Sequence, residues 1–108
     1  MNQCQTKILA EGNHFNVSYC GCCKRIGLFY NNILSGFDVI EFEHFSEGVQ
    51  SLNFNEGAIL FPNHELYIIV TTCHPDVQFC FNHDEFSQFQ NLMEEARLML
   101  DVYTALEA

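Results

Sequence analysis

The sequence predicts an α+β protein in which a mostly antiparallel sheet carries two helices on one face. Short runs of β-branched and aromatic residues, separated by turn residues, predict the strands. Apolar residues at steps of three and four follow Asp38 and again follow Asn82, and this period predicts the two helices. A chain of 108 residues can bury one hydrophobic core but is short for two, so residues 1–108 are expected to form a single domain.

Three β-hairpins are predicted from paired runs of strand-forming residues. Gly12 and Asn13 are expected at the turn of the first hairpin, and Asn31 and Asn32 at the turn of the second. The strand pairs are residues 6–10 with 15–19, residues 26–30 with 33–37, and residues 65–72 with 77–81.

Both helices have a recognisable start. The first is predicted from Asp38, whose side chain can cap the helix N-terminus, to about Leu52. The second begins at Asn82, where Glu85 three residues later forms the pattern of a capping box, and it runs to the end of the chain. This second helix is the longest predicted element.

A shift of 44 residues aligns the two helical regions. It places four residues on identical ones, namely Phe37, Glu41, Phe42 and Phe45 on Phe81, Glu85, Phe86 and Phe89. The hypothesis is a duplicated ββα unit, with a Cys-rich hairpin at 1–23, a first unit at 24–52 and a second at 58–108. Coincidence of ordinary α+β patterning is the alternative explanation.

The charge of the chain argues against several classes of partner. Four Lys and Arg against fourteen Asp and Glu give a net charge of −10. Such a surface repels phosphate backbones and anionic lipids, so neither nucleic acid nor a membrane surface is expected as a partner. The sequence has no apolar run of the roughly 18 residues that a membrane helix needs and no signal-peptide pattern at its start, and we expect a cytoplasmic protein.

The cysteines are the main chemical clue. Six occur in the chain, and disulfides are rare in a reducing compartment, so a metal, redox chemistry or simple packing must explain them. Cys20 and Cys23 form a C-x-x-C pattern, and the predicted hairpin register places Cys4 opposite Gly21 between them. Three thiols would then converge.

Zinc is the metal that such a group of thiols favours, and a structural site needs four ligands. The predicted ligands are Cys4, Cys20 and Cys23. Cys22 is the nearest candidate for the fourth position, and Cys73 or His74 is the alternative if the third hairpin lies beside this segment.

Two other interpretations of the cysteines stay open. Cys20 and Cys23 could form a redox-active dithiol, although the C-x-x-C runs into a strand and not into the helix N-terminus that lowers a thiol pKa. Alternatively, reduced cysteines pack within the sheet, and Cys80 is expected to be a core filler or a packed edge residue. No phosphate loop, serine nucleophile motif or H-E-x-x-H pattern occurs, which favours a non-enzymatic binding domain.

The last helix predicts self-association. Its apolar stripe covers about 22 residues, or about 33 Å, which exceeds what a small sheet can cover. We therefore expect a homodimer that buries the region around Met99, Tyr103 and Leu106. A further protein partner of unknown identity is expected from the acidic surface.

Several features together resemble a known family. They are an early Cys, the segment Ser18-Tyr19-Cys20-x-x-Cys23, an Ile-Gly-Leu-Phe-Tyr strand followed by Asn-Asn, and an acidic amphipathic helix. The chain resembles, over most of its length, a family of short Bacteroidetes proteins classed as a domain of unknown function. The resemblance implies a cytoplasmic bacterial protein in which Cys4, Cys20 and Cys23 are the family's cysteines and Cys22 is additional, and it implies no activity.

Overall fold

A computed structural model of the chain describes residues 5–107. Within this range the strands and helices follow one another as a four-stranded region, a helical segment, three further strands and a long helix. In chain order they are β1 (Thr6–Gly12), β2 (Phe15–Cys20), β3 (Arg25–Tyr30), β4 (Ile33–Asp38), α1 (Val39–Ser51), α2 (Phe54–Gly57), β5 (Ile59–Leu60), β6 (Leu66–Thr71), β7 (Gln78–Phe81) and α3 (His83–Glu107).

The strands form two antiparallel sheets. Among the described residues, β1 to β4 make a four-stranded meander in which each strand pairs with the next, and β5 to β7 make a three-stranded sheet centred on β6. The predicted α+β class is confirmed. The division into two sheets was not foreseen, because hydrophobic alternation identifies strands but does not say which strands pair across long loops.

The first hairpin turns one residue later than predicted. Gly12 pairs with Phe15, so Asn13 and His14 form the turn, and His14 takes the left-handed conformation with φ of 59°. At the far end, Thr6 pairs with Cys20. A β-bulge between Ile8 and Ala10 also shifts the pairing. The predicted position of Cys4 opposite Gly21 falls outside the described residues.

The second hairpin has its turn where the sequence predicts it. Tyr30 pairs with Ile33, and Asn31 at the turn has φ of 53°, a conformation that Asn tolerates. The Asn31 backbone N–H donates to the His14 carbonyl at 2.7 Å, which joins the two turns at one end of the meander.

Both long helices begin with a capping box, which the sequence predicts at Asn82, whereas at Asp38 it predicts only the N-cap. The Glu41 N–H donates to Asp38 Oδ1 at 2.7 Å, and the Asp38 N–H donates to the Glu41 side chain at 2.9 Å. Asn82 and Glu85 repeat the same pair of bonds, each at 2.9 Å. Each box pairs two N–H groups that a helix start leaves without partners. The short α2, capped by Asn53, was not predicted.

A cluster of aromatic rings joins both sheets to both long helices. Phe89 of α3, which is 1% exposed, stands at its centre. Five rings surround it at centroid distances of 4.6 to 6.3 Å: Phe81, Phe15, Phe79, Phe45 and Tyr30. These rings come from β2, β3, α1 and β7, so aromatic residues of both sheets and both long helices meet in one core.

The long helix α3 follows the meander from one end to the other. Its Leu92 lies against Gly12 at the hairpin turn, where an added Cβ would come within 3.0 Å of the leucine, and its Glu107 lies against Gly21 at the opposite end. Fifteen residues of helix span about 22 Å, close to the length of a strand such as β1. No helix among residues 5–107 is long and apolar enough to cross a membrane.

Cys80 was predicted in the core or packed at an edge, but it is exposed. In β7 the buried positions are Phe79 and Phe81, and alternation along the strand turns Cys80 to the opposite face. The helix α3 covers one face of the sheet that contains β7, so only the side chains that point to that face are buried.

We expect the neighbours Phe81 and Cys80 to respond very differently to truncation. Phe81→Ala should lower the free energy of unfolding by about 3–5 kcal/mol because it removes a fully buried ring, whereas Cys80→Ala should change it by less than about 0.5 kcal/mol. Urea unfolding followed by circular dichroism measures both. Similar losses in the two variants would show that the face of β7 is assigned incorrectly.

Candidate functional site: a cysteine knuckle

The turn between β2 and β3 brings three cysteines together. We call Cys20, Cys22 and Cys23 the cysteine knuckle. Cys20 ends β2, the turn occupies residues 21–24, and Arg25 opposite Cys20 begins β3. Lys24 takes a left-handed conformation with φ of 55°, which reverses the chain within this short segment.

The sulfur atoms of the knuckle are close to one another. All three lie within 4.8 Å. Cys20 Sγ is 3.4 Å from Cys22 Sγ and 2.7 Å from Cys23 Sγ. Cys20 is buried, whereas Cys22 and Cys23 are exposed. Three such sulfurs could hold a metal ion, and the exposed side gives solvent access to them.

The oxidation state of Cys22 bears directly on that chemistry. Cys22 takes part in a disulfide in this structure. A metal-binding cysteine must be a thiolate, so Cys22 can act as a ligand only after that bond has been reduced. Cys20 and Cys23 form no disulfide.

Cys20 and Cys23 influence each other's protonation. The hydrogen bond from Cys23 lowers the pKa of the Cys20 thiol, and the same hydrogen bond raises the pKa of Cys23. The thiolate therefore forms first on the buried Cys20 while Cys23 keeps its proton and donates it. Arg25 favours the thiolate of Cys23 by its positive charge, but this effect is smaller.

Two of the other predicted ligands, Cys73 and His74, are not part of the knuckle. The third, Cys4, lies outside the described residues. Cys73 and His74 are not within the group of sulfurs, and the His74 ring lies at 2.7 Å from the Gly36 carbonyl oxygen and packs near Phe37 at the β4 side of the meander. Burial raises the pKa of the Cys73 thiol. The fourth ligand stays a prediction.

A carboxylate next to the knuckle was missed by sequence reasoning. Glu107, at the end of α3, accepts a hydrogen bond from the Tyr19 hydroxyl at 2.9 Å and pairs with Lys24. These bonds lower the pKa of Glu107, with the Lys24 bond contributing most. Tyr19 and Lys24 flank the C-x-x-C in sequence and could have been suspected, but Glu107 stands 83 residues away from Lys24 and has no local signal.

Comparison with known proteins gives a family and no closer relative. No curated protein and no solved structure matches the chain. A family model described as a family of unknown function, DUF6686, matches residues 1–105. The match covers nearly the whole chain, and the expected resemblance to a family of unknown function is thereby confirmed. The chain belongs to the DUF6686 family of unknown function.

Proposed function

We propose that this protein is a small non-enzymatic binding domain whose reduced knuckle holds one structural zinc ion. The observation that carries the proposal is the grouping of Cys20, Cys22 and Cys23 within 4.8 Å. Cys4, Cys20 and Cys23 are the three ligands that the sequence predicts, and Cys22 is the nearest candidate for the fourth position. Thiolates are the ligands that zinc prefers in structural sites, and four of them close its coordination shell.

The distances require only a small adjustment. Zinc–sulfur bonds of about 2.3 Å in a tetrahedron place the sulfurs about 3.8 Å apart. The Cys20–Cys22 distance of 3.4 Å is near this value, and Cys20 and Cys23, at 2.7 Å, would have to separate by about 1 Å. Cys22 and Cys23 lie in the turn and are exposed, and the adjustment follows reduction of the Cys22 disulfide.

Local charge also supports thiolate binding. Four thiolates around Zn²⁺ carry a net charge of −2, and cations nearby offset it. Arg25 directly follows the knuckle and favours the thiolate of Cys23, whereas the charge of the neighbouring Lys24 is paired with Glu107. The position of Arg25, one of only four Lys and Arg in an acidic chain, favours an anionic centre here.

Zinc content should depend on reduction and on the knuckle. The protein purified with a reductant should carry about one equivalent of zinc, and its removal by a chelator should lower the melting temperature because the metal ties β2 to β3. Cys23→Ser should lose the metal. Elemental analysis and thermal unfolding of the same samples measure both effects.

Cys80→Ser is the matched control, because it changes an exposed cysteine outside the knuckle and should keep full zinc content. Cys73→Ser tests the alternative fourth ligand and should lose zinc only if Cys73 takes that position. Reduced wild-type protein that binds no zinc, or a Cys23→Ser variant that binds as much as Cys80→Ser, would refute the proposal.

A thiol redox role is the second candidate, because the Cys20 and Cys23 sulfurs lie only 2.7 Å apart. In this role the two thiols would lose two electrons and two protons to a small-molecule disulfide, which is reduced to two thiols as the Cys20–Cys23 disulfide forms. The burial pattern is less suited to it. The low-pKa thiol is the buried Cys20, whereas an attacking thiol is normally accessible.

Titration with oxidised and reduced glutathione separates the two functions. A redox protein should form the Cys20–Cys23 disulfide with a midpoint potential above about −300 mV, and added zinc should not be retained. A zinc domain should protect its thiolates, so thiol loss should be slow until a chelator is added. Mass spectrometry of alkylated peptides identifies the disulfide.

We also propose a homodimer through the C-terminal helix. Leu98, Val102 and Leu106 form a stripe at four-residue spacing and are 60%, 49% and 76% exposed. Met99 and Tyr103, which the sequence also placed in the interface, are instead partly buried against the core. A second copy of the same helix would bury this stripe, and the net charge of −10 would oppose the association.

The dimer should therefore strengthen with salt and fail when the stripe carries charge. Leu98→Glu should give a monomer at concentrations where the wild type is dimeric, because it places a carboxylate in an apolar contact. Leu34→Glu introduces the same change at a site that is 70% exposed on β4, and should leave the dimer intact. Light scattering at low and high salt measures both. A wild-type monomer at every salt concentration would contradict the proposal.

A further inference from the structure

A cavity of about 610 Å³ opens beside the knuckle, where the end of α3 meets the meander. We call it the α3-end cavity. Its wall combines charged, aromatic and apolar groups, and it includes Lys7, Tyr19, Lys24, Tyr103, Leu106 and Glu107. The volume is within the range of about 300–1,000 Å³ that is usual for small-molecule sites.

A carboxylate from the chain itself lies in this cavity. Glu107 Oε2 accepts the Tyr19 hydroxyl bond at 2.9 Å and pairs with the Lys24 ammonium group. Its other oxygen approaches Gly21 so closely that a Cβ there would come within 3.0 Å. Tyr19 is 1% exposed, so its hydroxyl is held in place by the surrounding core. The cavity therefore has a shaped position for a carboxylate group.

The charge of the cavity differs from that of the protein. Lys7 and Lys24 both line it, and they are two of the four Lys and Arg in a chain of net charge −10. Lys7 forms no ion pair with any residue in the range 5–107. The two lysines and the Glu107 carboxylate together give the lining of the cavity a net charge of +1.

We propose that the α3-end cavity binds a small organic carboxylate that displaces the side chain of Glu107. The ligand carboxylate would accept the Tyr19 hydroxyl hydrogen bond and pair with Lys24, while Lys7 supplies the remaining positive charge. Its apolar part would lie against Tyr103, which is outside the stripe proposed for the dimer. Glu107 then acts as an internal competitor that occupies the anion position in the free protein.

This inference does not depend on a metal at the knuckle. Only Cys22 is shared between the cavity wall and the knuckle, and no contact of the proposed carboxylate involves a sulfur atom. The full metal-free chain is therefore tested with the Cys22 disulfide that this structure contains and again after its reduction, so that loss of zinc and loss of carboxylate binding are measured separately.

The probe is 3-phenylpropionate, and its neutral amide is the matched control ligand. Titration followed by two-dimensional NMR should show saturable shifts at Tyr19, Lys24 and Tyr103 with the carboxylate and much weaker ones with the amide. Glu107→Gln removes the competing charge and should tighten the binding of 3-phenylpropionate about two- to fivefold, a modest factor because Lys24 is largely exposed.

Tyr19→Phe keeps the buried ring and removes only the hydroxyl, and it should weaken binding about fivefold. Glu95→Gln makes the same change as Glu107→Gln on an exposed part of α3 away from the cavity, and should leave the affinity unchanged. Unfolding curves confirm that each variant is folded. The proposal is overturned if the amide binds as well as the carboxylate, if neither binds, or if Glu107→Gln binds no more tightly than Glu95→Gln.

Discussion

The contact of the Phe89 ring with its five aromatic neighbours is the interaction on which the rest of the structure depends. Those neighbours come from β2, β3, α1 and β7, so one buried side chain of α3 connects both sheets and the other long helix. Aromatic rings bury a large area each and prefer tilted or edge contacts, which suits a junction where elements meet at different angles. A chain of 108 residues has few other places to build such a core.

This junction also determines what lies beside the knuckle. Phe89 and Leu92 hold the first half of α3 at the turn end of the meander, and the helix then advances by a constant rise along β1. As a consequence, Glu107 contacts Gly21, Tyr19 and Lys24 at the end of the meander where the cysteines lie. The polar chemistry of the site is therefore coupled to the packing of the core, although the two are about a helix length apart.

Much of the local structure could be predicted from neighbouring residues. Both capping boxes, the turn at Asn31 and the short distances among Cys20, Cys22 and Cys23 depend on residues at most three apart, and each matches its pattern. The turn of the first hairpin lies one residue later than predicted, because His14 adopts the left-handed conformation and Gly12 still pairs with Phe15. A bulge altered the register of the same hairpin. Alternation located the β7 strand, but its buried side chains are those of Phe79 and Phe81. Cys80 therefore lies on the exposed face.

The sequence by itself determined the α+β class, the starts of the two long helices and the concentration of thiols and cations near residue 20, because propensity, capping and charge act over a few residues. Only the tertiary structure decided the division into two sheets and the separation of Cys73 and His74 from the knuckle. It also decided the position of Glu107 between Tyr19 and Lys24. These depend on how α3 packs across the meander. Contacts between residues more than 80 positions apart are selected by the shape of the whole core, and no local pattern encodes them.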